Sequence, residues 1–131
     1  VYQNLLTGNT HRADYTAMPH AIFSSPQISG VGMTEQELED SEREYVTASY
    51  EYERTGMGLA MKEEDGFVKV LADPETEEIL GCHIIGPDAS SIIHEVLVTM
   101  REGRGKVDDI KDTIHIHPAL NEVVQRAFNQ I

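Results

Sequence analysis

The chain predicts an α+β fold, an antiparallel sheet with helices packed against it. Three observations lead there. Residues 46–53 alternate apolar and polar side chains with a period of two. Two apolar runs, 67–71 and 79–85, flank a turn-rich segment and read as a hairpin. Two later stretches repeat apolar residues at helical spacing. Antiparallel strands with helices between them bury a sheet face by laying helices on it.

Taken in order, residues 1–19 show no clear periodicity, and 1–17 read as a connecting arm. The chain starts at Val1 rather than at a methionine, which suggests an excised piece of something larger. Ala21-Ile22-Phe23 reads as a short strand ending at Ser25-Pro26. Thr34 with Glu37 forms a capping box, and Met33 against Leu38 forms its hydrophobic staple, so a short acidic helix is expected over 35–42. Val46, Ala48, Tyr50 and Tyr52 then mark the buried face of a strand, and Gly56 to Glu64 reads as a loop. Phe67–Leu71 and Ile79–Ile85 are strands joined through Asp73-Pro74-Glu75-Thr76-Glu77. Asp88 is placed to cap a helix over 89–100, whose apolar face is Ile92, Ile93, Val96, Leu97 and Met100 and which ends at Gly103 and Gly105. The last helix carries a stripe of Leu120, Val123, Val124, Ala127, Phe128 and Ile131, with Pro118 suited to its first position.

Composition bounds the function. At 131 residues and 40% hydrophobic the chain is one domain able to bury a core. No apolar run approaches membrane-spanning length and no signal peptide opens the sequence. A single cysteine, Cys82, allows no internal disulfide and suits a reducing, cytoplasmic setting. Ten Lys and Arg against 23 Asp and Glu give a net charge of −13, which argues against nucleic acid and anionic membrane surfaces. The acid excess is spread along the chain. It fits either an ordinary solvated surface or a protein from a high-salt cytoplasm, where screening limits the repulsion of dense surface carboxylates.

The chemistry concentrates in Ile114-His115-Ile116-His117-Pro118-Ala119-Leu120-Asn121-Glu122. A histidine directly before a proline, with a carboxylate five residues on, can form a proton-transfer pair. The carboxylate holds one ring nitrogen and its tautomer, and the other nitrogen is left for a substrate proton. Helical geometry places Glu122 away from the apolar stripe, toward a surface or cleft. The bland alternative is a surface histidine beside a first-turn glutamate that favours the helix dipole. His115 and His117 also form His-x-His, a metal-ligand spacing that would need Glu122, His94 or His83 as a third ligand. No spacing demands that third ligand, so no metal is expected. Cys82 reads as a small core residue, and His83 and His94 as locally hydrogen-bonded. The chain contains no Gly-rich phosphate loop and no second cysteine.

Four stretches occur in a recognisable order. They are Phe23-Ser24-Ser25-Pro26 with Val31-Gly32-Met33-Thr34-Glu35, then Gly66–Val70, then Ile79–Ala89, and finally His117-Pro118-Ala119-Leu120-Asn121-Glu122. Together, over about residues 18–130, they resemble the C-terminal dimerisation domain of the FAD-dependent pyridine nucleotide–disulfide oxidoreductases, the family of dihydrolipoamide dehydrogenase and glutathione reductase. The resemblance implies that 18–131 is such a dimerisation domain, with the FAD and NAD domains absent from this chain. It implies that His117 is the acid–base catalyst of thiol–disulfide exchange, serving the active site of the other subunit of a homodimer, with Glu122 orienting it. It also implies a cis His117–Pro118 bond and an approach of the His117 and Pro118 backbone to the partner's flavin. FAD and NAD(P) belong to the full-length parent, and the fragment alone is expected to bind neither and to be inactive. Within the family the pattern is most like dihydrolipoamide dehydrogenase, which would add the components of a 2-oxoacid dehydrogenase complex as partners. Ala119 in place of a frequent threonine also resembles mycothione reductase, leaving a low-molecular-weight disulfide reductase as the alternative. A stand-alone, non-redox binding module is the reading from a different class.

Overall fold

The computed structural model describes residues 2–131. Its frame is a five-stranded, wholly antiparallel sheet in the order β1-β2-β5-β4-β3. The strands are β1 (His20–Ile22), β2 (Gln27–Gly32), β3 (Val46–Glu51), β4 (Phe67–Ala72) and β5 (Ile79–Gly86). The helices are α1 (Tyr2–Thr7), α2 (Glu35–Asp40), α3 (Gly56–Met61), α4 (Ala89–Glu102), α5 (Val107–Lys111) and α6 (Glu122–Phe128).

The core lies between one sheet face and two helices. α4 packs on β2 and β5, and α6 on β3 and β4. Val31, Val68, Val70, Cys82 and Ile84 from the sheet meet Ile92, Ile93 and Val96 of α4 and Val123, Val124, Ala127 and Phe128 of α6, all essentially solvent-free. The outer face is partly covered as well: α2 sets Leu38 on Leu71 and Leu80, with Met33 beside them. The expected capping box forms, since Thr34 Oγ1 accepts the Glu37 N–H at 3.2 Å and Glu37 Oε2 accepts the Thr34 N–H at 2.8 Å.

Several elements differ from the sequence expectation. Residues 2–7 form a one-turn-and-a-half helix whose side chains are not buried, and the segment behind it is tied to α4, where Arg101 donates to Thr16 O at 2.7 Å and pairs with Asp14 at 3.2 Å. β2 was not anticipated, because Gly30 and Gly32 interrupt any alternation there. The "loop" at 56–64 contains α3: Thr55 Oγ1 accepts the Gly58 N–H at 3.0 Å, and Lys62 closes the helix in the left-handed region. α5, unanticipated, buries Val107 and Ile110. Asp88 occupies the cap position of α4 with φ 54°, but its side chain makes no cap hydrogen bond, and its backbone carbonyl accepts the first helical bonds from Ser91 N–H at 2.8 Å and Ile92 N–H at 3.0 Å. Pro118 does not open the last helix. Residues 120–121 form a turn, Val123 N–H bonds Leu120 O and Val124 N–H bonds Asn121 O, and the helix starts at Glu122.

The β2–β5 crossing is the tightest point of the sheet. Gly32 pairs with Gly81 in register, and Met33 N–H continues onto Leu80 O at 2.8 Å. A Cβ on Gly81 would stand 2.1 Å from Met33 O, and one on Gly32, already at φ +80°, would stand 2.3 Å from Leu80 O. These glycines allow the chain to leave the sheet directly into the α2 capping box. Gly81→Ala is therefore expected to cost about 3 kcal/mol, as a backbone clash in a packed region does; urea unfolding checks this, and an unchanged midpoint rejects the clash. The acid surplus gives a second expectation. Arg43, Arg54, Lys69, Arg101 and Arg104 are already paired with carboxylates, yet the net charge stays at −13. Raising KCl from about 0.1 to about 2 M should raise the melting temperature by screening that self-repulsion, and a falling melting temperature would contradict it.

Candidate active site

His117 and Glu122 meet at the start of α6. His117 Nδ1 lies 2.9 Å from Glu122 Oε1, and Glu122 Oε2 accepts the Ala119 N–H at 3.0 Å. Both carboxylate oxygens are thus occupied, which turns the 117–122 segment into a closed loop. The His117–Pro118 peptide is cis, as is Ser25–Pro26. The His117 side chain is 73% exposed, whereas that of Glu122 is 8% exposed. Sequence reasoning placed Glu122 toward a surface or cleft; it is in fact buried, because the loop it binds folds over it.

That burial on its own would raise the Glu122 carboxyl. The hydrogen bonds from His117 and from the Ala119 N–H, with the nearby charge of His117 and Arg126, outweigh it and hold the carboxyl below the usual glutamate range. An ionised carboxylate only accepts hydrogen bonds, so Nδ1 carries the hydrogen in this contact and Nε2 of the neutral ring is a free base. The ring therefore presents its basic nitrogen outward, held in direction by a buried anion. This arrangement can take a proton from an acid brought to Nε2 and return it.

The other candidates separate. The His-x-His pair does not form a shared site: His115 binds Glu95 and His117 binds Glu122. The His115 side chain is 7% exposed, with Nε2 at 2.5 Å from Glu95 Oε1 and Nδ1 at 2.9 Å from Thr113 O. Among the described residues no group of three or more His, Cys, Asp or Glu is placed to hold a metal ion. His83 places Nε2 3.0 Å from Met33 O. Cys82 is solvent-free, and burial pushes its thiol far up, so it offers no thiolate. Sequence reasoning missed Glu95, Asn121 and Gln125. Asn121 Nδ2 donates to Glu95 Oε2 at 2.8 Å and Gln125 Nε2 to Thr113 O at 2.9 Å. No spacing along the chain could have linked Glu95 to residues 20 and 26 positions away.

Comparison with known proteins identifies the family. Residues 18–128 match the model of the pyridine nucleotide-disulphide oxidoreductase dimerisation domain. The chain belongs to that family. Similar relatives include dihydrolipoyl dehydrogenase 3 of Haloarcula marismortui, 35% identical over 97% of this chain and 26% of the relative. Dihydrolipoyl dehydrogenase of Cupriavidus necator is 39% identical over 93% of this chain and 26% of the relative. Among solved structures, the HOCl-induced flavoprotein disulfide reductase RclA from Escherichia coli shares the fold with a TM-score of 0.88 at 24% identity, over all of this chain and 30% of that one. The chain thus spans about a quarter of the length of its curated relatives. No helix of the described residues is long and apolar enough to cross a membrane.

The family implies a flavin, a dinucleotide and a redox disulfide. This chain's single buried cysteine and its lack of a Gly-x-Gly-x-x-Gly turn fit none of the three as a holder. What it presents is His117, with Pro118 beside it. The carboxylate of Glu122 also makes a pH prediction. Because its folded-state pKa is depressed, its stabilising contribution is complete above the ordinary glutamate value of 4.5 and is lost as the pH falls through the lower folded value. Glu122→Gln should therefore flatten the acid limb of stability against pH below about 4.5. Circular dichroism across that range is the measurement, and superimposable acid limbs would refute the linkage.

Proposed function

We propose that this chain is the dimerisation domain of a flavin-dependent disulfide oxidoreductase, a dihydrolipoyl dehydrogenase, and that its His117–Glu122 pair serves the active site of the other subunit of a homodimer. The observation that carries this reading is the outward-facing Nε2 of His117 backed by the buried Glu122 carboxylate, 2.9 Å from Nδ1. The dimer reading has separate support. Ile114 and Ile116, on either side of His115 and close to His117, are 96% and 81% exposed. Apolar side chains this bare beside a proton-transfer group suit coverage by a second subunit.

In this role His117 handles protons only. Nε2 takes the proton of a dihydrolipoamide thiol as its sulfur attacks a disulfide, and Glu122 stabilises the imidazolium that forms. A redox disulfide, FAD and NAD held by other parts of the parent protein would supply the electron chemistry, taking up the two electrons released as the dithiol becomes a disulfide. The net change is dihydrolipoamide plus NAD+ to lipoamide plus NADH and a proton. The backbone of His117 and Pro118 is the part of this chain that would face the partner's flavin. Association with 2-oxoacid dehydrogenase components and a cytoplasmic location belong to the same proposal. The dihydrolipoyl dehydrogenase names of the relatives favour it over a mycothione-type reductase.

The test uses the full-length protein that carries this domain. His117→Gln should lower dihydrolipoamide-dependent NADH formation by about 100-fold or more, with flavin content and dimer mass unchanged, which is the size expected for loss of a positioned acid–base. Undiminished turnover in the variant overturns the role of His117. Stoichiometric zinc in the purified protein with no flavin would instead favour a stand-alone binding module.

A further inference from the structure

The segment that carries His117 has little of its own to hold it. Among the described residues, the N–H groups of Ile114 to His117 donate to no backbone carbonyl outside regular elements, and Pro118 has no N–H. Ile114 and Ile116 anchor nothing, since both are almost fully exposed. A loop in this condition samples many conformations, and an acid–base group carried on it loses its aim.

Besides Glu122, which binds His117 and the Ala119 N–H, two side-chain links oppose this, and both end on one further carboxylate. Glu95 Oε1 takes His115 Nε2 at 2.5 Å, and Glu95 Oε2 takes Asn121 Nδ2 at 2.8 Å. His115 lies two residues before His117, and Asn121 four residues after it. Glu95 itself sits on α4 next to Val96, which is solvent-free in the core between helix and sheet. The anchor is therefore rigid. The His115 ring is held on its other side too, with Nδ1 at 2.9 Å from Thr113 O, a carbonyl that also accepts Gln125 Nε2 from α6 at 2.9 Å. Asn121 in turn gives its backbone carbonyl to the N–H groups of Val124 and Gln125, at 3.0 and 3.3 Å, as α6 begins. The three elements that converge on this loop, α4, the 113–115 stem and α6, are joined through one glutamate.

We propose that Glu95 is a positioning residue for the His117–Glu122 pair: its carboxylate fastens the loop to α4 through His115 on one side of His117 and Asn121 on the other. The inference deepens the oxidoreductase reading and rests on it for its kinetic consequence. Its geometric content stands apart from that reading.

Charge-assisted and neutral versions of the clamp can be told apart. Thr113 O only accepts, so Nδ1 of His115 carries a hydrogen. A glutamine at position 95 can donate its amide to Nε2 of the neutral His115 ring while its oxygen accepts from Asn121, keeping both links. An alanine keeps neither. In the full-length protein, Glu95→Ala should therefore lower kcat by about 10- to 100-fold with KM nearly unchanged, the scale on which a misplaced catalytic group costs rate. Glu95→Gln should restore most of that loss. In a His117→Gln background, Glu95→Ala should cost no more than about twofold further, because its effect passes through His117. Losses that multiply in the double variant, or an equal loss in Glu95→Ala and Glu95→Gln, overturn the proposal, since a purely structural residue would behave in that way.

A crystal structure of the Glu95→Ala protein supplies the readout that does not depend on activity. Residues 115–121 should be displaced or multiply placed while α4 is unmoved, and a loop that keeps its place overturns the positioning role whatever the rates show. If the unsubstituted protein oxidises no dithiol while the loop still moves in Glu95→Ala, the oxidoreductase reading fails and the clamp stands.

Discussion

The inner face of the sheet has to be covered across its whole width, and two helices do this: α4 over β2 and β5, α6 over β3 and β4. Most of what is chemically interesting in the chain follows from that division. The helices lie over neighbouring strands and are separated in sequence by α5 and a bridging segment, so the chain must pass across to connect them. α5 takes up part of the distance by burying Val107 and Ile110. In the rest, residues 112–121, Leu120 packs half-buried against the core, while Ile114 and Ile116 are exposed. Side chains from the two helices hold this segment as well: Glu95 from α4, and Glu122 and Gln125 from α6. The hydrophobic requirement of the sheet thus places two carboxylates on either side of one loop whose hydrophobic hold is Leu120.

The two carboxylates do different work because their surroundings differ. Glu122 is covered by the loop it binds, accepts from His117 and the Ala119 N–H, and is held ionised by them. An ion this well enclosed is stable only while its donors stay in place, so Glu122 and the closed 117–122 loop depend on one another. Glu95 is less enclosed and faces two side chains that are themselves tied down elsewhere. One carboxylate sets the tautomer of the exposed histidine, and the other sets where the loop sits. Neither function is visible from either residue alone.

How much of this was legible in the sequence depends on whether a signal is local. The capping box at Thr34 and Glu37, the β4–β5 hairpin and the apolar stripe of α4 are local, and each forms much as its residues dictate. β2 was hidden because Gly30 and Gly32 answer to neighbours across the sheet. A Cβ on Gly30 would meet the rings of His20 and His83, and one on Gly32 would meet Leu80 O. α3 was hidden for a similar reason. Gly56 and Gly58 weaken any helix by themselves, but a Cβ at Gly58 would stand 1.8 Å from Tyr52 O, so the packing of that turn demands glycine. The His117–Glu122 pairing could be read from a spacing of five. The burial of Glu122 could not, since it arises from a loop folding back over the helix start. Glu95 had no local signal at all: it is one glutamate in a helix, and its partners are brought to it only by tertiary structure.

Under the proposed function His117 works on thiols and would gain from a dry environment, yet its side chain is 73% exposed. In water the attraction between the imidazolium and Glu122 is weak. Removing water from around the pair strengthens it several-fold. The chain has fixed everything that a single subunit can fix: the direction of the ring, its tautomer and the position of the loop. It has left outward the ring nitrogen that would meet a substrate in the proposed function, near two bare isoleucines. Under the proposed function, exclusion of water is the contribution of the second subunit, which would make dimer formation and the strength of the acid–base pair two aspects of one event.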